Sequence, residues 1–178
     1  MAVALYQRDT IGAIHRGAIC AYCPIFWLEP PLWLLRNIDW NPPRHADLYR
    51  WDERSDAFRG EHVEEEVVAS AKVRYLVILS NDHEIQKFTT LLVAPTYTTD
   101  PDRHSTFLDR LRRNEIPHLF HLGEDPGYPE MRECYIDFRK IQLLHKDFLT
   151  EDSKSGISLT DKALSALLER YRRYLLIA

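Results

Sequence analysis

Several features that mark common protein classes are scarce in this chain. Its 178 residues hold no apolar run of about 18, the length a membrane span needs, so no membrane association is expected. No basic start leads into a long apolar stretch, so no secretory signal is expected either. There are three cysteines, few and odd in number. That argues against a disulfide framework and for a reducing compartment, so the expected location is the cytoplasm. Excess positive charge is missing: 23 Lys and Arg face 27 Asp and Glu, a formal net charge of −4. Proteins that live on non-specific attraction to nucleic acid are usually basic, so any such site here must be a local patch. Internal repeats and low-complexity tracts are absent. Cys20-x-x-Cys23 and the pair His118 and His121 fall in strand-like stretches, where residues three apart face opposite sides. Joint zinc ligation is therefore disfavoured, and neither metal nor cofactor is expected.

What remains is ordinary globular composition, 45% apolar and 28% charged. One domain over 1–178 is the default at this length. Within it the stretch Lys72–Thr99 stands out. It carries two short apolar runs, Tyr75–Leu79 and Leu91–Ala94, rich in β-branched and aromatic residues. The polar Ser-Asn-Asp-His-Glu between them reads as a turn, and the runs as two neighbouring antiparallel strands. Arg74 precedes the first run, and Thr96 and Thr98 follow the second. If those ends meet, a planar guanidinium beside hydroxyls suits a phosphate, because it can hold two phosphate oxygens at once. The plainer reading is a strand-edge arginine paired with Asp82 or Glu84, beside threonines that favour strand ends.

The rest of the chain falls into place around this stretch. Met1–Ile14 gives a weak strand or tail signal. Ala18–Phe26 reads as an edge strand or a bulged one, because of Pro24. Residues 28–72 hold ten of the acids and six of the Lys and Arg, which accounts for the whole net negative charge. They also hold Trp33, Trp40 and Trp51. This segment reads as an ordered insertion, with a helical turn near Trp33, a two-strand excursion near Tyr49, and an undecided stretch at His62–Val68. After it, helical spacing covers Phe107, Leu108 and Leu111, opened by Asp100 and Pro101 and ended by Pro117. Strands are expected at His118–Leu122, Glu133–Phe138 and Lys140–Leu149. A terminal helix capped near Ser158–Asp161 places Leu164, Leu167, Leu168, Tyr171 and Leu175 on one stripe.

The string RYLVILSND at 74–82, followed by LLVAPTYT at 91–98, resembles the PemK/MazF family of bacterial toxins. That family joins an Arg-Pro start, an apolar strand ending in Ser or Gln-Asn-Asp, and a strand running into Ala-Pro-Ile-Thr. Glu133–Leu149 and the terminal helix resemble its later elements. The chain departs in three places: Ala18 follows Arg16-Gly17 where the family has an acid, Tyr75 replaces the proline, and Ala94-Pro95-Thr96-Tyr97 overlays Ala-Pro-Ile-Thr one residue out of step.

The resemblance implies a mainly β fold, a small SH3-like antiparallel barrel closed by a C-terminal helix, with the insertion between its first two strands. It also implies a homodimer that cleaves single-stranded RNA without metal, through the substrate's own 2′-hydroxyl. Arg74 with Thr96 or Thr98 would be the catalytic set, and an antitoxin protein would be the natural partner. The alternative is a non-catalytic barrel that binds a protein, as gyrase-type toxins of this fold do; the tryptophan-rich insertion favours it. A third reading has the insertion's Glu61, Glu64, Glu65 and Glu66 lie over the RNA groove and compete for Arg74. His83 is an additional candidate acid or base. Arg103, Arg110, Arg112 and Arg113, and separately Arg132, Arg139 and Lys140, are candidate backbone-tracking patches, although such runs are more often solvated faces.

Overall fold

The computed structural model describes residues 4–27, 33–36, 47–50, 66–100 and 105–177, with backbone alone at 33–36, 47–50 and 66–68. The chain divides into two compact units, Met1–Pro24 with Val73–Ala178, and Ile25–Lys72. The second unit falls within a few residues of the expected insertion. It holds a three-stranded antiparallel sheet: β3 (Trp33–Arg36) lies between β4 (Asp47–Arg50) and β5 (Glu66–Val68). The helical turn expected near Trp33 is therefore a strand; two flanking strands supply the ladder partners that local pattern could not reveal. Glu61, Glu64 and Glu65, the side chain of Glu66, the turn at Ser55-Asp56, Pro101 and Arg103 lie outside the described residues.

The larger assembly is an open, eight-stranded antiparallel sheet with a C-terminal helix, so the expected mainly β class holds. Its path begins with β1 (Tyr6–Arg8), β11 (Lys154–Leu159), β2 (Ala18–Trp27) and β6 (Ser70–Ile78). It continues through β7 (Thr90–Thr98) and β9 (Cys134–Asp137) to β8 (Leu119–Leu122), while β10 (Gln142–His145) pairs with the first half of β7. The two strands expected at 75–79 and 91–94 are β6 and β7, and they pair antiparallel. β2 is not an edge strand, since β11 and β6 flank it. β11 was hidden because Ser158-Leu159-Thr160-Asp161 reads as a helix cap; in fact Ser158 and Leu159 end a strand and Thr160 alone caps, accepting from the Ala163 amide at 3.3 Å.

The polar break is also more than a turn. α1 (Asp82–Lys87) fills it, opened by a capping box. Asn81 accepts from the Glu84 amide at 2.9 Å, and Glu84 accepts from the Asn81 amide at 3.0 Å. α2 (Ser105–Arg112) buries Leu108 and Leu111 and ends before Pro117, at a left-handed Asn114. α3 (Asp161–Ile177) buries Ala163 and Leu167 against a core of Tyr6, Ile19, Val77, Ala94, Phe120, Leu122 and Ile136, among others. Leu164, Leu168 and Tyr171 pack at its margin. Leu175, expected on the same stripe, stands exposed. Gly17 explains the Arg-Gly pair: it is left-handed (φ +87°), and a Cβ there would stand 3.0 Å from Leu164.

Candidate functional site

Strand register decides which of the expected site residues meet. Leu76 faces Pro95, Val77 faces Ala94 and Ile78 faces Val93. Continuing that register sets Tyr75 across from Thr96 and Arg74 across from Tyr97. The contacts agree: the Thr96 hydroxyl donates to the Tyr75 carbonyl at 3.1 Å, and the Arg74 guanidinium carbon lies 4.4 Å from the centre of the Tyr97 ring. Side chains alternate along a strand, so Arg74 and Tyr97 share one face while Tyr75, Thr96 and Thr98 share the other. The expected convergence of Arg74, Thr96 and Thr98 on one pocket is corrected accordingly. Both threonines line one cavity and Arg74 does not.

That cavity, of about 430 Å³, lies on the threonine face. Tyr22 and Tyr75 form an aromatic wall, with ring centres 6.3 Å apart. Tyr22 is 71% exposed, and its backbone is left-handed (φ 57°), a conformation costly for a residue with a bulky side chain. Glu130, Met131, Arg132 and Cys134 line the remainder. Burial first, then the charges of Tyr22 and Glu130, raise the Tyr75 phenol above its ordinary range, so it enters the site as a hydroxyl. Burial pushes the Cys134 thiol up to about 12, so it too stays protonated. Thr96 is buried and already donates to Tyr75, whereas Thr98 is exposed. Of the two, Thr98 is the hydroxyl open to a ligand.

The opposite face is built differently. Below Arg74, Tyr97 stacks on Tyr135 with ring centres 5.6 Å apart and planes 25° apart, and Phe107 of α2 meets Tyr135 edge-on. Beside this stack Glu133 gathers three partners. Arg112 donates to it through two nitrogens at 2.7 and 2.9 Å, His121 Nε2 lies at 2.9 Å and the Thr99 hydroxyl at 3.2 Å. Arg112 foremost, helped by His121 and Thr99, holds the Glu133 carboxyl at about 2. The cluster clamps α2 to the sheet.

The arginines sort by their partners. Arg112 is spent on Glu133, Arg113 on Glu115, and Arg139 on Asp137 at 2.7 Å. Of the α2 run, Arg112 and Arg113 are thus paired, while Arg110 is exposed and makes no ion pair among the described residues. Arg132 is exposed and makes no ion pair among the described residues. His83 sits exposed on α1, away from the cavity lining.

No known family model matches the chain, and no curated protein matches it.

The left-handed Tyr22 lies between Cys20 and Cys23, both of them buried free thiols. Cys134 sits across from Thr98 in the β7–β9 register, and Arg132 stands two residues before it, outside the strand. Tyr22 carried no signal, because nothing in its neighbours demands a left-handed turn there.

Proposed function

We propose that the protein is a metal-independent endoribonuclease for single-stranded RNA, of the PemK/MazF-like kind, with its site in the Tyr22–Arg132 cavity. One observation carries the proposal: an exposed threonine, an arginine outside any ion pair among the described residues, a carboxylate and an aromatic pair line a single cavity. Each suits one part of the substrate. A base stacks on Tyr22 and Tyr75, as single-stranded nucleic acids do on aromatic walls. Arg132 holds a phosphate through its fork of donors, and Thr98 donates to a non-bridging oxygen. The Glu130 carboxylate takes the 2′-hydroxyl proton as that oxygen attacks phosphorus. Arg132 then meets the charge that builds on the phosphorane, where a preorganised cation is worth most. Arg132 thus fills the role that the resemblance gives to Arg74.

The finer fold features belong to this reading. The open sheet would be an SH3-like barrel in which β10 and the β9 end curl across β7. The working form would be a homodimer with RNA between its subunits, in the cytoplasm, held in check by an antitoxin protein.

The test is cleavage of a mixed-sequence, fluorogenic single-stranded RNA in EDTA, with product ends read by mass. Cleavage that leaves 2′,3′-cyclic phosphates, and falls about 100-fold or more in Arg132→Ala, supports the proposal. Inert wild-type protein defeats it. A second reading, a protein-binding module, then takes its place. It is favoured by Tyr97 standing across from Arg74, where the family's pattern would put a small hydroxyl.

A further inference from the structure

Arg132 borders two cavities. One is the Tyr22–Arg132 cavity described above. The other, of about 420 Å³, is lined by Glu124, Asp125, Pro126, Pro129, Met131 and Arg132. Its volume is that of a small-molecule site, roughly 300–1,000 Å³. Pro129, Met131 and Arg132 belong to both linings, so a group held at Arg132 has a cavity on either side. Glu130 lines the first alone, and Glu124 and Asp125 line the second alone. The loop that builds the second cavity is braced from within. The Gly127 amide donates to Asp125 Oδ1 at 2.9 Å, the Tyr128 amide to the Asp125 carbonyl at 2.8 Å, and the Met131 amide to the Tyr128 carbonyl at 2.8 Å. The Tyr6 hydroxyl ties its start to the core through the Gly123 carbonyl at 3.2 Å. A cavity shaped before its ligand arrives loses less on binding. Asp125 is engaged in the turn, whereas Glu124 is exposed and makes no hydrogen bond or ion pair among the described residues.

We propose that the second cavity is a guanine subsite, which takes the nucleotide on the leaving side of the scissile phosphate; its place in the reaction rests on the RNA reading. With the phosphate on Arg132 and the attacking 2′-hydroxyl beside Glu130 in the first cavity, the nucleotide that carries the leaving 5′-oxygen falls to the second. There Glu124 chooses the base. An ionised carboxylate only accepts hydrogen bonds, through two oxygens side by side. Guanine alone among the four RNA bases sets two donors side by side on its Watson–Crick edge, N1–H and N2–H. Adenine and cytosine put a ring-nitrogen acceptor beside the amino group, and uracil flanks N3–H with two carbonyls, so each turns a lone pair toward the carboxylate. Single-stranded RNA leaves this edge open to be read. Pro126 and Pro129 supply rigid apolar walls for the base. A cation is a poor occupant, because the Arg132 guanidinium shares the lining and no group of three or more His, Cys, Asp or Glu placed to hold a metal occurs among the described residues.

The full chain is titrated with the 5′-monophosphates of guanosine, inosine, adenosine, cytidine and uridine, followed by NMR. These probes carry the phosphate on the side the leaving nucleotide does, and they ask nothing of catalysis. Guanosine monophosphate should bind tightest, and the inosine compound, which lacks the 2-amino donor, about tenfold more weakly. The other three should be weaker still. Glu124→Gln should remove the preference for guanine, and Arg132→Ala should weaken all five alike, through the shared phosphate. In parallel, the 5′-hydroxyl ends of downstream fragments from the mixed RNA pool are sequenced, and G should lead them. Guanosine monophosphate binding no tighter than its adenosine counterpart, or a guanine preference that survives Glu124→Gln, would overturn the subsite. Cleavage with mixed bases at the downstream ends would also overturn it and leave the RNA reading standing. A Glu124-dependent guanine preference in a protein that cleaves no RNA would support the subsite and defeat the nuclease reading.

Discussion

The two faces of the β6–β7–β9 ribbon use the same three strands for different ends. On one face Arg74, Tyr97 and Tyr135 stack in a column, and Glu133 draws Arg112, His121 and Thr99 into a closed set of bonds. On the other face Thr98 is exposed, Arg132 is outside any ion pair among the described residues, and Tyr22 stands 71% exposed in a left-handed conformation. The first face ties Glu133 to three partners, yet buries the Tyr97 hydroxyl with no hydrogen-bond partner among the described residues. The second has left polar and aromatic groups open and tolerates strain, as functional surfaces do. A residue's place in a motif is therefore less telling than which way the pleat turns it.

The comparison can be broken by substitution. The largest expected effect is on the open face. Thr98→Val and Arg132→Ala together should reduce RNA cleavage by more than about 1000-fold with little change in thermal midpoint. Arg132→Lys should recover only part, because a point charge lacks the fork. A fall in melting temperature large enough to explain the loss would make these residues structural instead.

Next comes the core that both faces share. Leu167→Ala, at a fully buried site, should cost about 3 kcal/mol in urea unfolding and leave the cleavage products unchanged.

The closed face should respond to Arg74→Ala with about 1 kcal/mol of stability, the scale of a cation held on a ring, and less than about a three-fold change in cleavage. A loss there matching that of Arg132→Ala would return the catalytic role to Arg74.

The smallest effect is on pH dependence. Arg112, His121 and Thr99 hold Glu133 at about 2, against an ordinary 4.5. A depressed carboxyl contributes stability that is fully present above its unfolded value and lost as pH falls through its folded one. Acid titration of stability should therefore steepen between about pH 4.5 and 2, and Glu133→Gln should flatten that interval while leaving neutral-pH RNA cleavage intact.

Much of the scaffold was legible. The β6–β7 pair, the strands after Pro117 and the apolar stripe of α3 follow from period and composition, which local sequence carries directly. α1 was legible too, since Asn81 and Glu84 spell a capping box, but the apolar runs on either side drew the stretch toward a turn. The site was legible in part. Thr96 and Thr98 do line the cavity, yet pairing Arg74 with them assumed that strand ends meet on the same face. Pleat and register separate them, and a one-residue offset is enough to do so. Tyr22 was beyond reach from sequence. Its left-handed turn lies inside β2, between β11 and β6, where no turn residue in the sequence marks it.

The most direct test of the central claim asks which face RNA touches. Single-stranded RNA carrying 4-thiouridine is bound to the full chain in EDTA, irradiated and mapped by peptide mass. The account predicts cross-links at Tyr22, Tyr75 or the 129–134 segment. Cross-links confined to Tyr97, Tyr135 or Phe107 would contradict it and move the site to the face of Arg74.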